Sequence, residues 1–252
     1  MVSEPTYDVS ISDDRRIEGP LLVGLSNLGL AGLTAVDHLI THHEFDRIGH
    51  VRYRGLPGIT PVENGEPRHP IRLYASAESD FAVLLNELFV PVWAAEGLSD
   101  GIFEWVATTD IDEIAVFHGV PYPHGPDEHD VFYVATSEYE EQRLAGADVS
   151  PVGGGVLDGV TGELMGRSLE KEAPPIGAYV TPIHPPGPDL EAALRFLGLL
   201  RTVYDLDIDD RQLRERSAEL QQYYAELANR MESLDTQDGM GAQHFPEDRM
   251  FM

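Results

Sequence analysis

Residues 20–43, PLLVGLSNLGLAGLTAVDHLITHH, decide the reading of the fold. Leu21, Leu22, Val23 and Leu25 make a short, nearly continuous apolar run, which suits a strand buried on both faces of a sheet. From Leu28 the apolar spacing becomes helical: Leu28, Ala31, Ala35 and Leu39, widened by Leu30, Leu33, Val36 and Ile40. Between them lies the tight turn Gly24-Leu25-Ser26-Asn27-Leu28-Gly29-Leu30-Ala31-Gly32, with Ser26 or Asn27 as the expected N-cap. A strand–turn–helix unit of this kind opens an α/β domain and belongs at the centre of its sheet.

The turn matches neither of two catalytic or cofactor patterns. A dinucleotide fingerprint needs G-x-G-x-x-G, and here Asn27 stands where the first glycine belongs, before Gly29 and Gly32. A nucleophile elbow needs G-x-S-x-G, and Gly24-Leu25-Ser26-Asn27 is followed by Leu28. Two readings remain. Glycines at 24, 29 and 32 serve close helix–strand packing, or Gly24, Ser26, Asn27 and Gly29 form an anion or ligand turn at the helix N-terminus. Packing is preferred.

Composition bounds the function classes. The 252 residues carry 44 acidic and 17 basic side chains, a formal net charge of −27, and Lys171 is the one lysine. Such a charge repels nucleic acid and anionic membranes, so neither is an expected partner. At molar salt the Debye length falls to about 3 Å and the charge is tolerated. An acidic, lysine-poor chain reads as a cytoplasmic protein of a salt-accumulating halophile. There is no cysteine, which removes disulfides, thiolate catalysis and cysteine-held metals. No secretory leader and no apolar run near the roughly 20 residues of a membrane helix is expected.

Along the chain, strands are expected at 7–11, 45–53, 71–75, 113–118, 131–135 and 176–181. Helices are expected over 80–98, divided at Pro91 and ending near Gly97, then at 99–109, within 156–172, at 190–204 and at 209–234. Alternating strands and helices predict an α/β fold, a mostly parallel sheet flanked by helices, closed by a C-terminal helical pair. The expected organisation is a core at 1–188, a helical hairpin at 189–235 packed on or extending it, and a flexible tail at 236–252.

The last helix carries a heptad seam. Leu213, Leu220, Leu227 and Leu234 recur every seven residues, with Ser217, Tyr224 and Met231 between them. The seam packs against the preceding helix or pairs with another subunit, giving a homo-oligomer. Of the remaining chemistry, His118, His124, Asp127, Glu128, His129 and Asp130 surround the loop HGVPYPHGPDEHD but lack a metal-binding spacing, so a solvated loop is preferred. Gly153–155 is not followed by G-K-[ST], which rules out a P-loop. No catalytic residue, metal or cofactor is expected.

The segments GPLLVGLSNLGLAGLTAVDHLI and GGGVLDGVTGELMGRSLEKEAPPIGAYVTP, with the closing PDLEAALRFLGLL and LRERSAELQQYY, resemble the proteasome assembly chaperone superfamily, archaeal type-two branch. The resemblance implies a fold similar to nucleoside phosphorylases and hydrolases without an established catalytic set, self-association, and binding to the α-subunits of the proteasome core particle. It also implies a docking tail of the form hydrophobic–tyrosine–any. Here the tripeptide is Met250, Phe251 and Met252, with phenylalanine in place of tyrosine. The alternative is an enzyme of the phosphorylase or hydrolase type, acting on a small anionic or nucleoside-type substrate through the 24–32 turn and the glycines at 153–162.

Overall fold

Two units compose the chain, Met1–Asp210 and Arg211–Met252. The computed structural model describes residues 4–76, 80–122, 124–125, 128–169, 173–184 and 187–241, excepting the side chains of 228–229 and 231–241. Strands β1 (Thr6–Ile11) and β2 (Glu18–Leu25) come first, then helix α1 (Ala31–His42), β3 (Phe45–Arg54), a small hairpin of β4 (Val62–Glu63) and β5 (Glu66–Pro67), β6 (Ile71–Ser76) and β7 (Ala82–Asn86). Helix α2 (Ala95–Val106), β8 (Asp110–Val120), β9 (Phe132–Ala135), the short α3 (Ser137–Tyr139), β10 (Ser150–Pro151), α4 (Gly159–Arg167), β11 (Ile176–Pro182), α5 (Leu190–Tyr204) and α6 (Arg211–Gly241) follow.

Nine strands form one sheet in the order β1-β3-β6-β7-β2-β8-β11-β9-β10, so β2 is its middle strand, as its sequence predicts. The four central strands β7, β2, β8 and β11 run parallel, while β1, β3 and β6 add an antiparallel edge. Leu21, Leu22 and Val23 of β2 are fully buried because neighbouring side chains face opposite helix layers. Leu21, Val23 and Leu25 join α2 and α4 residues such as Leu98, Ile102 and Leu164 in one core. On the other face α1 packs on β2 and β8, with α5 beside it. Each fully buried leucine or valine contributes about 1.5–3 kcal/mol, so this double-sided core dominates stability.

The helix expected over 80–98 is a correction. Its first part is strand β7, and only a 3₁₀ turn at Val92–Ala94 leads into the single helix α2, which absorbs Gly97 and the helix expected at 99–109. A short apolar run such as Ala82-Val83-Leu84-Leu85 has no periodicity that separates a buried strand from a buried helix. Gly97 does not end α2: a Cβ there would lie 2.8 Å from the Pro5 carbonyl oxygen, so the glycine admits the backbone before β1. Helix α5 falls within the first unit and packs on α1 and β11. Helix α6 runs to Gly241, past the expected start of the tail at 236, and residues 242–252 lie outside the described residues. No described helix is long and apolar enough to cross a membrane.

Candidate functional site

The carboxyl ends of β2, β8 and β11 bring the chemistry-bearing residues together, the position at which open α/β sheets place ligands. The turn after β2 is not capped as expected. Neither Ser26 nor Asn27 caps α1 with its side chain; Leu28–Leu30 forms a 3₁₀ turn, Gly29 has φ 73°, and Leu30 precedes α1 in the left-handed region at φ 52°. The packing reading of the glycines has direct geometric support. A Cβ on Gly24 would lie 2.8 Å from Val36 Cβ, and one on Gly32 would lie 2.2 Å from the Phe117 carbonyl oxygen.

Asn27 has a different partner. Its Nδ2 donates to His118 Nδ1 at 2.8 Å, and Thr161 Oγ1 lies 2.9 Å from the same nitrogen. With Nδ1 accepting, the His118 proton sits on Nε2. Burial pushes the His118 pKa down, partly opposed by Asp158, so the ring stays neutral. His118, at the end of β8, is therefore a buried neutral imidazole joining the first turn to α4.

Beside it is a cleft of about 1010 Å³ between β9, β11 and α4, lined by Val120, Phe132, Val134, Leu157, Met165 and Val180 among others, with Gly153–155 along its rim. Among the described residues no aspartate, glutamate, histidine, lysine or arginine lines it. It is an apolar crevice, with Leu169 and Val156 standing exposed at its margin.

The loop 118–130 divides. His118 turns into the core, while His124 and His129 meet His184, which the sequence offered no reason to group with them. Asp127 lies outside the described residues; Glu128 accepts from the Gly125 backbone N–H, and the Asp130 side chain from that of Val131. Deeper in the sheet, Tyr139, Tyr179 and Tyr204 share hydroxyl contacts of 3.1 Å and 2.5 Å, and Glu113 pairs with Arg143 at 2.9 Å. Burial raises Tyr139 and Tyr204 well above the ordinary tyrosine range, so these hydroxyls stay protonated and brace β11 against α5.

A model of the PAC2 family matches residues 21–228. The chain belongs to the PAC2 family. This bears out the resemblance to the proteasome assembly chaperones. A search of curated sequences returns no match. Among solved structures, the PAC2 chain is similar to Pyrococcus furiosus PbaA, described as an archaeal homolog of proteasome-assembly chaperone, at TM-score 0.77 and 17% identity, covering 93% of this chain and 97% of that one. P. furiosus PbaB, described as an archaeal proteasome activator, gives TM-score 0.72 and 20% identity, covering 89% and 99%. A PAC2 family protein from Streptomyces avermitilis gives TM-score 0.58 and 15% identity, covering 84% and 97%. These likenesses establish a shared fold.

Two further groups of candidate residues come from the last 42 residues of the chain, Arg211–Met252. In α6, Leu213 is buried and Leu220 half-buried, whereas Tyr224 and Leu227 are exposed; the side chains of Met231 and Leu234 lie outside the described residues. Met250, Phe251 and Met252 also lie outside them.

Proposed function

We propose that this chain is a non-enzymatic proteasome assembly chaperone-like protein that binds the α-ring of the proteasome core particle through Met250, Phe251 and Met252. One observation carries the reading: the PAC2 model spans most of the chain, and the fold superposes over about nine-tenths of its length on PbaA and PbaB, described as a chaperone homolog and a proteasome activator. The cleft supports it, because a catalytic pocket for an anionic substrate needs convergent charged or polar groups, and among the described residues this one is lined by no carboxylate, histidine, lysine or arginine, its polar side chains being Tyr122, Thr136 and Ser168. Docking proceeds by capture of the terminal carboxylate in a basic or N–H-rich socket, with the Phe251 ring filling the adjoining groove. Without the tyrosine hydroxyl the interaction loses one hydrogen bond, about 0.5–1.5 kcal/mol. The protein works in the cytoplasm of a salt-accumulating archaeon and self-associates through the exposed part of the α6 seam.

A pulldown at molar salt, read by mass spectrometry, tests this. The intact chain should recover proteasome α-subunits and the chain ending at 249 should not.

One observation favours the second reading, a phosphorylase- or hydrolase-type enzyme: His118 is a buried, neutral imidazole held by Asn27 and Thr161 at the carboxyl edge of the sheet. Turnover of a nucleoside or small phosphate ester that disappears in His118→Ala, while folding persists, would establish it.

A further inference from the structure

Three histidines converge beyond the carboxyl ends of β8 and β11, and their hydrogen bonds leave a lone-pair conflict. His184 follows β11 in the turn that leads to α5. Its backbone N–H and its Nδ1 both meet Asp189 Oδ2, at 2.8 and 3.0 Å, and the other carboxylate oxygen accepts from Ala192 N at 2.9 Å as the α5 cap. Asp189 is buried, and its own N–H donates to the Gly29 carbonyl at 2.8 Å, so the carboxylate is fixed from both sides. With its Nδ1–H given to Asp189, His184 presents a bare lone pair on Nε2.

His124 is arranged in the same way. Its Nδ1 lies 2.6 Å from the Tyr122 carbonyl oxygen, which can only accept, so the His124 proton is on Nδ1 and Nε2 carries the lone pair. The two Nε2 atoms face each other at 3.1 Å, and His129 Nε2 stands 3.3 Å from His184 Nε2. All three rings lie at similar separations, with centroids 4.8, 4.8 and 5.0 Å apart. Facing acceptors at these distances repel unless a cation lies between them. Tetrahedral coordination with Zn–N bonds of about 2.0–2.1 Å places ligand nitrogens about 3.3–3.4 Å apart, close to the separations found.

We propose that His124, His129 and His184 form a divalent transition-metal site of the zinc type, with Asp189 as the carboxylate that orients His184. Neutral imidazole donors select Zn²⁺, Co²⁺, Ni²⁺ or Cu²⁺ over Mg²⁺ and Ca²⁺, which take oxygen ligands. Three protein ligands leave a fourth position for water or an incoming carboxylate. The backbone beneath is already tied down: Ile183 N–H donates to the Val120 carbonyl at 3.0 Å and Thr181 Oγ1 to the Asp130 carbonyl at 2.8 Å. A bound metal links the loop after β8 to the loop after β11, and the half-exposed His184 ring keeps the site open to solvent. The proposal stands apart from the proteasome-binding reading and survives its failure.

The test uses the untagged full chain at molar KCl, which suppresses diffuse binding to carboxylates. Isothermal titration with Zn²⁺ should give one equivalent bound, and Co²⁺ should give the visible absorption of a tetrahedral complex. His184→Ala, and the double variant His124→Ala with His129→Ala, should each weaken binding at least 100-fold without moving the metal-free melting temperature. His50→Ala with His69→Ala, which removes a separate stacked histidine pair, should leave binding unchanged. The absence of a one-equivalent site in the intact chain, or undiminished affinity in folded His184→Ala, would overturn the proposal and leave a shared proton as the link between the rings. The Co²⁺ spectrum of the intact chain reads the site even where a variant fails to fold.

Discussion

At Gly32 the polypeptide of α1 rides so close to β8 that a single methyl group has nowhere to go, since the nearest atom is the backbone oxygen of Phe117. A backbone oxygen cannot swing aside as a long side chain can. Gly32→Ala should therefore lower stability by about 1–3 kcal/mol, the usual range for overpacking, whereas Gly153→Ala, with open space around it, should stay within about 0.5 kcal/mol. Denaturant melts of the two variants check this; equal losses would sink the packing argument. His118 belongs to the same scale. Burial lowers its folded-state pKa, so between that value and the unfolded value near 6.5 the unfolded chain binds more protons. Its contribution is complete above about pH 6.5 and is lost as pH falls. Acidification also relieves carboxylate repulsion, so the useful quantity is the difference between chains: His118→Gln should show a flatter loss of melting temperature from pH 7.5 to 5.5 than the wild type.

Elements whose side chains carry a clear period or punctuation were legible from the sequence: β2, the alternating β1, and α5, bounded by Asp189 before and Asp205 after. β7 was not, because five consecutive buried residues look alike in a strand and a helix, and its identity depends on β2 and β6 flanking it. The Leu30 kink was hidden for a related reason: tertiary packing of Gly29 on Ile183 and Gly32 on β8 sets where the helix begins, overriding local capping preference. The histidine cluster was half legible. His124 and His129 were singled out, but His184 lies 60 and 55 positions away, and only the parallel pairing of β8 with β11 joins their loops. In α6, Tyr224 and Leu227 are exposed heptad positions, as an intersubunit seam requires. Leu220→Glu with Leu227→Glu should convert an oligomer measured by light scattering to monomer with unchanged circular dichroism; an unaltered mass would remove the seam as the contact.

Over the whole molecule, charge and fold set the working conditions together. A net charge of −27 on 252 residues makes the compact state repel itself in dilute buffer. Surface pairs such as Arg15 with Asp13 and Asp46 offset little of this, because exposed ion pairs contribute about 0–1 kcal/mol. The melting temperature should rise steadily from low to molar KCl; a flat or falling curve would contradict the halophile reading. The chain belongs to the PAC2 family and shares its fold with PbaA and PbaB, and the proteasome-binding proposal is tested at this scale. The most direct measurement is the equilibrium affinity for purified proteasome core particle at molar salt, for the intact chain, the chain ending at 249, Phe251→Ala and Phe251→Tyr. Saturable binding that vanishes in the first two variants and strengthens about 2- to 13-fold in Phe251→Tyr, the equivalent of one recovered hydrogen bond, is the predicted result. Equal affinity of the intact and shortened chains, or no binding by any of them, would contradict it.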